Sequence, residues 1–156
     1  MRLVAGDLSL RRGGIDDLDA VLALQQAAYA PNRLLLGREP LPLLADYQQI
    51  FRDYEVWLAD VDGLAGVLIL QPRPDDLLIW SIATDLARQR GGLGKVLLAA
   101  AEVRARELKR DTIRLYTGAV LQHLIDWYGR HGYRVERIEQ LSDRAITHMI
   151  KPLEKA

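Results

Sequence analysis

The chain has 156 residues and no low-complexity stretch, which predicts a single domain over residues 1–156, large enough to bury an apolar core. Its 21 basic and 21 acidic side chains cancel, and the arginines are spread along the sequence, so we expect no nucleic acid partner and no anionic lipid partner. The absence of cysteine excludes disulfides and thiolate metal ligands, and no apolar run approaches the roughly 20 residues of a membrane span, so we expect a cytoplasmic protein without a membrane partner.

The first half of the chain predicts strands and helices in mixed order. Asp16 or Asp17 caps a helix, because apolar side chains then recur at helical spacing as far as Ala28. Three prolines and Gly37 favour a loop over residues 31–42. The other predicted elements are a strand at 8–11, a helix at 43–52, and strands at 55–60 and 64–70 joined by a hairpin through Asp62-Gly63.

The second half begins with a nearly continuous apolar run at 76–84, as expected for a strand in the buried centre of a sheet. An amphipathic helix over 93–109 follows. The remaining predicted elements are a strand at 112–117, a helix at 121–131, and strands at 133–139 and 144–151. The whole order is therefore β-α-α-β-β-β-α-β-α-β-β, which indicates an α+β fold.

The segment between the central strand and the amphipathic helix is rich in glycine. It reads Gln89-Arg90-Gly91-Gly92-Leu93-Gly94 and is followed by Lys95. Glycines lack the Cβ atoms that would keep an anion away from the backbone, and the first N–H groups of a helix have no intrahelical acceptor. Arg88, Arg90 and Lys95 add positive charge. The segment therefore predicts a phosphate-binding turn at a helix N-terminus.

Two common phosphate loops do not fit these residues. The NTPase loop requires glycine where Gln89 stands, and it requires serine or threonine, a magnesium ligand, where Val96 stands. The dinucleotide fingerprint requires a further glycine where Leu97 stands, and it normally opens the first βαβ unit of a chain. The turn must therefore belong to another class of phosphate-binding protein.

The pattern that fits is Gln/Arg-x-x-Gly-x-Gly/Ala, filled by Gln89, Gly92 and Gly94. It resembles the pyrophosphate loop of the GCN5-related N-acetyltransferase (GNAT) superfamily. Tyr128 and the pair Gly132-Tyr133 also match the spacing of that family's second signature, and looser similarity covers nearly the whole chain. The resemblance implies a GNAT-like α/β/α fold with a central, mostly antiparallel mixed sheet that splays between its middle strands.

The resemblance also implies an N-acyltransferase that moves an acetyl group from acetyl-CoA directly to an amine of a small molecule or a protein. A homodimer is compatible with it. In that fold the pantetheine arm of coenzyme A lies along the free edge of the central strand, which would assign Ile82, Ala83 and Thr84 to cofactor binding. The pyrophosphate would bind Gln89, Arg90, Gly91, Gly92, Leu93, Gly94 and Lys95.

Two aromatic residues have alternative interpretations. The family commonly uses a tyrosine at the position of Tyr128 as the acid that protonates the departing thiolate, and helical spacing places Tyr128 on one stripe with Leu121 and Leu124. A core tyrosine bonded to the backbone is the alternative, and we predict the catalytic role. Trp80 is predicted to pack in the core, with a wall of the acceptor pocket as its alternative.

The sequence does not identify a general base. Many relatives have a glutamate on the central strand, whereas residues 77–82 of this chain contain no carboxylate. Water or one of four acidic residues could serve instead: Glu39, Asp46, Glu55 and Asp76. Leucines at 121 and 124 also stand where the family often has an asparagine. These departures leave two alternatives open: a GNAT-fold module that binds coenzyme A with little or no turnover, and an interaction domain with a vestigial loop.

The three histidines, His123, His131 and His148, have no two members at the helical spacing of a metal site. No cysteine is present to join them. We therefore expect no metal.

Overall fold

The computed structural model describes residues 1–88 and 91–154. In these residues eight strands form one sheet with the order β1-β2-β3-β4-β5-β6-β8-β7. Every neighbouring pair is antiparallel except β5 and β6, which are parallel. The elements are β1 (Arg2–Ala5), β2 (Leu8–Arg12), α1 (Leu18–Leu36), α2 (Tyr47–Asp53), β3 (Glu55–Asp60), β4 (Leu64–Pro72), β5 (Leu77–Thr84), α3 (Leu93–Glu107), β6 (Thr112–Gly118), α4 (Gln122–Arg130), β7 (Arg134–Gln140) and β8 (Ala145–Pro152). The predicted mixed, mostly antiparallel sheet is confirmed.

Helices cover both faces of this sheet. Because side chains alternate along a strand, β4 sends Leu68 and Leu70 into one apolar cluster and Val67 and Ile69 into another. The first cluster contains α3 and is contacted by α4, and the second contains residues of α1 and α2. The sheet is thus the middle layer of three, as the family resemblance implied. Among the described residues, no helix is both long and apolar enough to cross a bilayer.

The structure corrects two elements of the predicted order. The strand β1 was not predicted, because four residues are too few to show a periodicity; Gly6, with φ of 59°, turns it back onto β2. The predicted loop at 31–42 is wrong over its first part, since α1 continues through Pro31 to Leu36. Gly37 ends this helix in the left-handed conformation, with φ of 70°, and its N–H donates to Arg33 O.

The start of α2 also differs from the prediction. Leu41–Leu44 form a short 3₁₀ turn, and α2 itself begins at Tyr47. The carboxylate of Asp46 accepts hydrogen bonds from the N–H groups of Gln48 and Gln49. This side-chain cap satisfies two helix donors that otherwise lack partners, so Asp46 sets where the helix starts.

The sheet opens between its central strands. β5 and β6 pair only over Leu77–Ile79 and Ile113–Leu115, and the two strands then diverge. On its other edge β5 stays paired with β4, where Ile69 lies opposite Ser81 and Leu70 opposite Ile79, so Trp80 is an extra, bulged residue. The predicted splay between the middle strands is confirmed, and it creates the cleft described next.

Candidate active site

A cavity of about 810 Å³ occupies the gap between the diverging strands. It is bounded by residues 79–84 of β5 and 115–118 of β6, together with side chains from α1, α3 and α4. We call the part next to α3 and α4 the α4 side, and the part next to α1 and residues 40–42 the α1 side. The two sides belong to opposite faces of the sheet, so the cleft passes through the sheet.

The glycine turn lies at the edge of the α4 side. Gly92 is the N-cap of α3, has φ of 81° and receives no side-chain cap. This left-handed conformation favours glycine, and it leaves the first backbone donors of the helix without a capping side chain. Gly94 meets a different requirement, because an added Cβ would lie 3.2 Å from the Trp127 ring of α4. The two glycines therefore shape the turn and let α4 pack closely on it.

The predicted cofactor residues are distributed unevenly around the cleft. Six of them line it: Ile82, Ala83, Thr84, Gly92, Gly94 and Lys95. Leu93 packs on the core beside Gly66, and the N–H of Gly91 donates to Arg88 O at 3.1 Å. Gln89 and Arg90 lie outside the described residues. The side chain of Arg88 donates to Val61 O at 2.6 Å, so its charge lies against the β3–β4 turn.

Tyr128 approaches the cleft from α4. Its ring packs against Trp127 and Tyr133, with centroid distances of 5.1 and 6.0 Å. Burial raises the pKa of Tyr128 to about 12, so its hydroxyl is protonated at neutral pH. Within the described chain no group hydrogen-bonds to this hydroxyl, although the side chain lines the cleft. Tyr128 therefore presents a proton donor to the cavity.

A second set of polar side chains, which sequence reasoning missed, approaches from the α1 side. The Tyr29 hydroxyl and Ser81 Oγ are 2.8 Å apart, and Gln25 Nε2 donates to Ser81 Oγ at 2.9 Å and to the Tyr47 hydroxyl at 3.0 Å. Tyr47 in turn donates to Pro42 O at 2.8 Å. Gln25 and Ser81 are almost fully buried, with exposed fractions of 0% and 3%. The sequence offers one signal for this network. A polar residue interrupts an apolar stretch in two elements: Gln25 in α1 and Ser81 in β5.

The bulge at Trp80 explains how this network reaches the cleft. Ser81 contacts α1, whereas Trp80 packs edge-on against Tyr47 and Tyr54 next to α2, so consecutive residues of β5 face the same side. Trp80 also lines the cleft, so it packs against the core and forms part of the cleft wall at the same time. Burial, and next the nearby Tyr128, raise the pKa of Tyr29 well above its usual value. Tyr128 on α4 thus contributes to the raised pKa of Tyr29 on α1.

The four candidate bases do not line the cleft, and the two that are buried, Glu55 and Asp76, are each held by arginines. Glu55 accepts two hydrogen bonds of 2.8 Å from Arg104. Burial alone would raise the pKa of Glu55, but the bonds from Arg104 and Trp57 lower it overall. Asp76 is held by Arg73 and Arg114, which likewise lower its pKa against the effect of burial. Both carboxylates are therefore structural anions.

The other two candidates serve the backbone and the surface. Asp46 caps α2, as described above. Glu39 pairs with Arg33 at 2.7 Å, and both side chains are substantially exposed. The charged residues that do line the cleft are all cationic among those described: Lys95 and Arg130 on the α4 side and Arg144 near residues 40–42. The cleft therefore suits anions and neutral groups.

The histidines have separate surroundings. His123 lines the cleft, His131 Nδ1 lies 2.8 Å from Trp127 O, and His148 Nε2 lies 2.8 Å from Glu139 Oε1. In the part of the chain that the structure describes, no group of three or more histidine, aspartate and glutamate side chains could hold a metal ion.

Comparison with known proteins places this geometry in a family. Residues 20–133 match the model of the "Acetyltransferase (GNAT) family". The chain is 33% identical to an uncharacterized N-acetyltransferase, YvbK, of Bacillus subtilis strain 168, over 107 residues that cover 68% of each protein.

Solved structures have the same fold. The ribosomal-protein-S18-alanine N-acetyltransferase of Escherichia coli superposes with a TM-score of 0.76 at 22% identity, over 94% of both chains. A Bacillus subtilis acetyltransferase in complex with CoA superposes with a TM-score of 0.69 at 23% identity, over 93% of this chain and 97% of that one. Because the family model matches well over half of the chain, the protein belongs to the GNAT family of acetyltransferases.

Proposed function

We propose that this chain transfers an acetyl group from acetyl-CoA directly to an amine bound in the cleft. The observation that carries the proposal is the cleft itself, which joins a glycine turn and an unpaired strand edge on one side to a separate pocket on the other. The single domain over residues 1–156, a cytoplasmic location and a homodimer remain predictions from the sequence.

The α4 side has the features that coenzyme A requires. Beyond Ile79 the backbone of β5 has no strand partner toward β6, so Ile82, Ala83 and Thr84 can pair with the amide groups of a pantetheine arm. The start of α3 at Gly92 offers backbone donors for a pyrophosphate, and Lys95 adds charge. When bound there, acetyl-CoA supplies a thioester whose acyl carbon an amine can attack.

Tyr128 supplies the proton that the leaving sulfur needs. As the amine nitrogen forms the new C–N bond and the C–S bond breaks, the hydroxyl of Tyr128 donates its proton to sulfur. The amine loses a proton in the same transfer, and an equivalent proton restores Tyr128, so the reaction is balanced without another reactant. A phenol whose pKa is about 12 stays protonated before each cycle, which suits a donor and not a base.

The acceptor amine must lose its proton without help from a carboxylate in the cleft. Among the described residues that line the cavity there is no aspartate or glutamate. The apolar surroundings disfavour the ammonium form, and water can accept the proton before the amine enters. The same absence favours the alternative, a module that binds coenzyme A with little turnover, which turnover measurements distinguish.

Titration calorimetry with acetyl-CoA and CoA, followed by thiol release with a panel of amines, tests this proposal. Saturable binding with amine-dependent release of CoA supports the acetyltransferase. Binding without release for any amine supports the binding module instead. Absence of binding at millimolar concentrations rejects both and leaves the interaction domain. Tyr54→Phe is a suitable control variant that should keep both binding and thiol release, because it removes a tyrosine hydroxyl from a residue that packs on Trp80 without lining the cleft.

A further inference from the structure

The walls of the α1 side indicate what kind of acceptor fits there, an inference that rests on the proposed function. They are mainly apolar or aromatic, with Leu36, Leu41, Trp80, Tyr116 and Ile146 among the lining side chains. The end of α1 closes this pocket tightly, because a Cβ on Gly118 of β6 would lie 2.9 Å from Leu36 Cδ2. The body of the acceptor therefore meets apolar surface.

Arg144, in the turn before β8, is the charged residue of this pocket. Its side chain is only 7% exposed, and Nη1 donates to Glu39 O at 2.8 Å. Nε and Nη2 donate to Asp143 at 3.1 and 2.9 Å. Three of the five guanidinium N–H groups are thus used, and each terminal nitrogen retains one donor. Two donors remain for a ligand.

The charge of Arg144 is only partly balanced. Asp143 is its carboxylate partner, but Arg38 Nη1 also lies 3.6 Å from the same carboxylate, so two cations share one anion. Asp143 and Arg38 are both more than 40% exposed, whereas Arg144 faces the cleft. The cleft end near residues 40–42 therefore carries excess positive charge.

This arrangement separates two classes of amine. A second ammonium group on the acceptor would be buried near Arg144, and no acidic side chain among the described lining residues could pair with it. A carboxylate would instead accept charge-assisted hydrogen bonds from Arg144 in a partly desolvated site. We propose that the acceptor is a primary amine with an apolar or aromatic body and one carboxylate that binds Arg144, and that polyamines are excluded.

Matched pairs of amines test this inference. L-phenylalanine and phenethylamine differ by a carboxylate next to the amine, and 4-(aminomethyl)benzoate and benzylamine differ by one placed farther away. Spermidine represents polycations. Binding to the protein is measured by calorimetry with and without CoA, and thiol release is measured with acetyl-CoA. We expect the carboxylate-bearing member of at least one pair to bind about tenfold or more tightly, as for hydrogen bonds to a charged group, and spermidine to bind most weakly.

Substitutions assign the preference to Arg144. Arg144→Gln should remove the difference within the preferred pair, and Arg144→Lys should retain part of it because the charge remains without the planar fork. Arg52→Gln is the control for loss of a charge, since Arg52 is 68% exposed and does not line the cleft. Thermal unfolding of each variant shows whether it is folded. If the Arg144 variants do not fold, the amine pairs measured on the unsubstituted chain still show whether the site prefers a carboxylate.

The outcomes separate this inference from the proposed function. Equal binding within both pairs, or tightest binding of spermidine, overturns the inference while leaving acetyl transfer intact. A carboxylate preference without thiol release for any amine supports the inference and rejects efficient turnover. A preference that persists in Arg144→Gln overturns the role of Arg144.

Discussion

The two sides of the cleft are built in different ways. The α4 side depends on backbone: an unpaired strand edge and a left-handed glycine at the start of a helix, with one tyrosine facing the gap. The α1 side depends on four side chains from three separate elements, α1, α2 and β5, joined by hydrogen bonds among Gln25, Tyr29, Tyr47 and Ser81. Backbone sites of this kind require glycine at fixed spacing, whereas side-chain pockets admit many residue sets. One side can therefore be read as a motif and the other cannot.

The largest expected effect belongs to Tyr128→Phe on the α4 side. It keeps the ring packed against Trp127 and removes the hydroxyl that donates to sulfur. General acid catalysis contributes about 10²- to 10⁴-fold, so kcat should fall by that factor while the Kd of acetyl-CoA stays nearly unchanged. Steady-state kinetics and calorimetry measure the two quantities. Full kcat in the variant would assign Tyr128 to packing alone.

The pH dependence of kcat/KM tests whether either side holds a general base. Below the pKa of an amine, about 10.4, its neutral fraction increases tenfold with each unit of pH. The logarithm of kcat/KM should therefore rise with a slope near one from about pH 6 to 9. Tyr128, with a pKa of about 12, stays protonated throughout and should cause no decline. A plateau that begins near neutral pH would reveal an enzymatic base.

Gly92→Val tests the backbone character of the α4 side. A non-glycine residue held in the left-handed conformation costs on the order of 1–3 kcal/mol, and escape from that conformation would reorient the first donors of α3. We expect the Kd of CoA to rise about tenfold or more. Gly6→Val is the matched control, because Gly6 has φ of 59° in the turn between β1 and β2 and does not line the cleft. Equal losses of CoA affinity in both variants would contradict the assignment.

Ser81→Ala tests the side-chain character of the α1 side. It leaves Gln25 and Tyr29 without a shared partner in the interior, which should lower the free energy of unfolding by about 1–3 kcal/mol. The KM of the acceptor should rise while that of acetyl-CoA changes little. Ser9→Ala, which removes an exposed hydroxyl bonded to Arg2, should change neither. Urea unfolding and steady-state kinetics measure these quantities. A rise confined to the KM of acetyl-CoA would show that Ser81 serves cofactor binding and not the acceptor pocket.

The smallest effect is expected from Tyr133→Phe. The Tyr133 hydroxyl is buried without a hydrogen-bond partner among the described residues, and burial raises its pKa well above the usual value. Its removal should leave the free energy of unfolding unchanged or raise it by roughly 1 kcal/mol, without loss of kcat. Together with Tyr128→Phe, it compares two neighbouring phenols that differ in access to the cleft. A loss of stability in urea would show that the hydroxyl is bonded.

The sequence by itself determined the family, the order of most elements and the glycine turn with Tyr128. Each of these depends on local rules: hydrophobic periodicity, helix caps and glycine at fixed spacing. Local rules also account for the errors. The predicted helix end before Pro31 is wrong because Gly37 ends α1, and β1 is too short to show a pattern.

Only the tertiary structure decided the α1 side. Gln25 and Ser81 are 56 residues apart, and Arg144 donates to Glu39 O across 105 residues. The bulge at Trp80 turns Ser81 toward α1, although simple alternation would send consecutive residues to opposite faces. The tertiary structure also showed that Glu55 and Asp76 are paired with arginines. Two of these partners, Arg104 of α3 and Arg114 of β6, are distant in sequence. Long-range pairing leaves no local pattern, which is why the sequence alone located the turn but not the acceptor pocket.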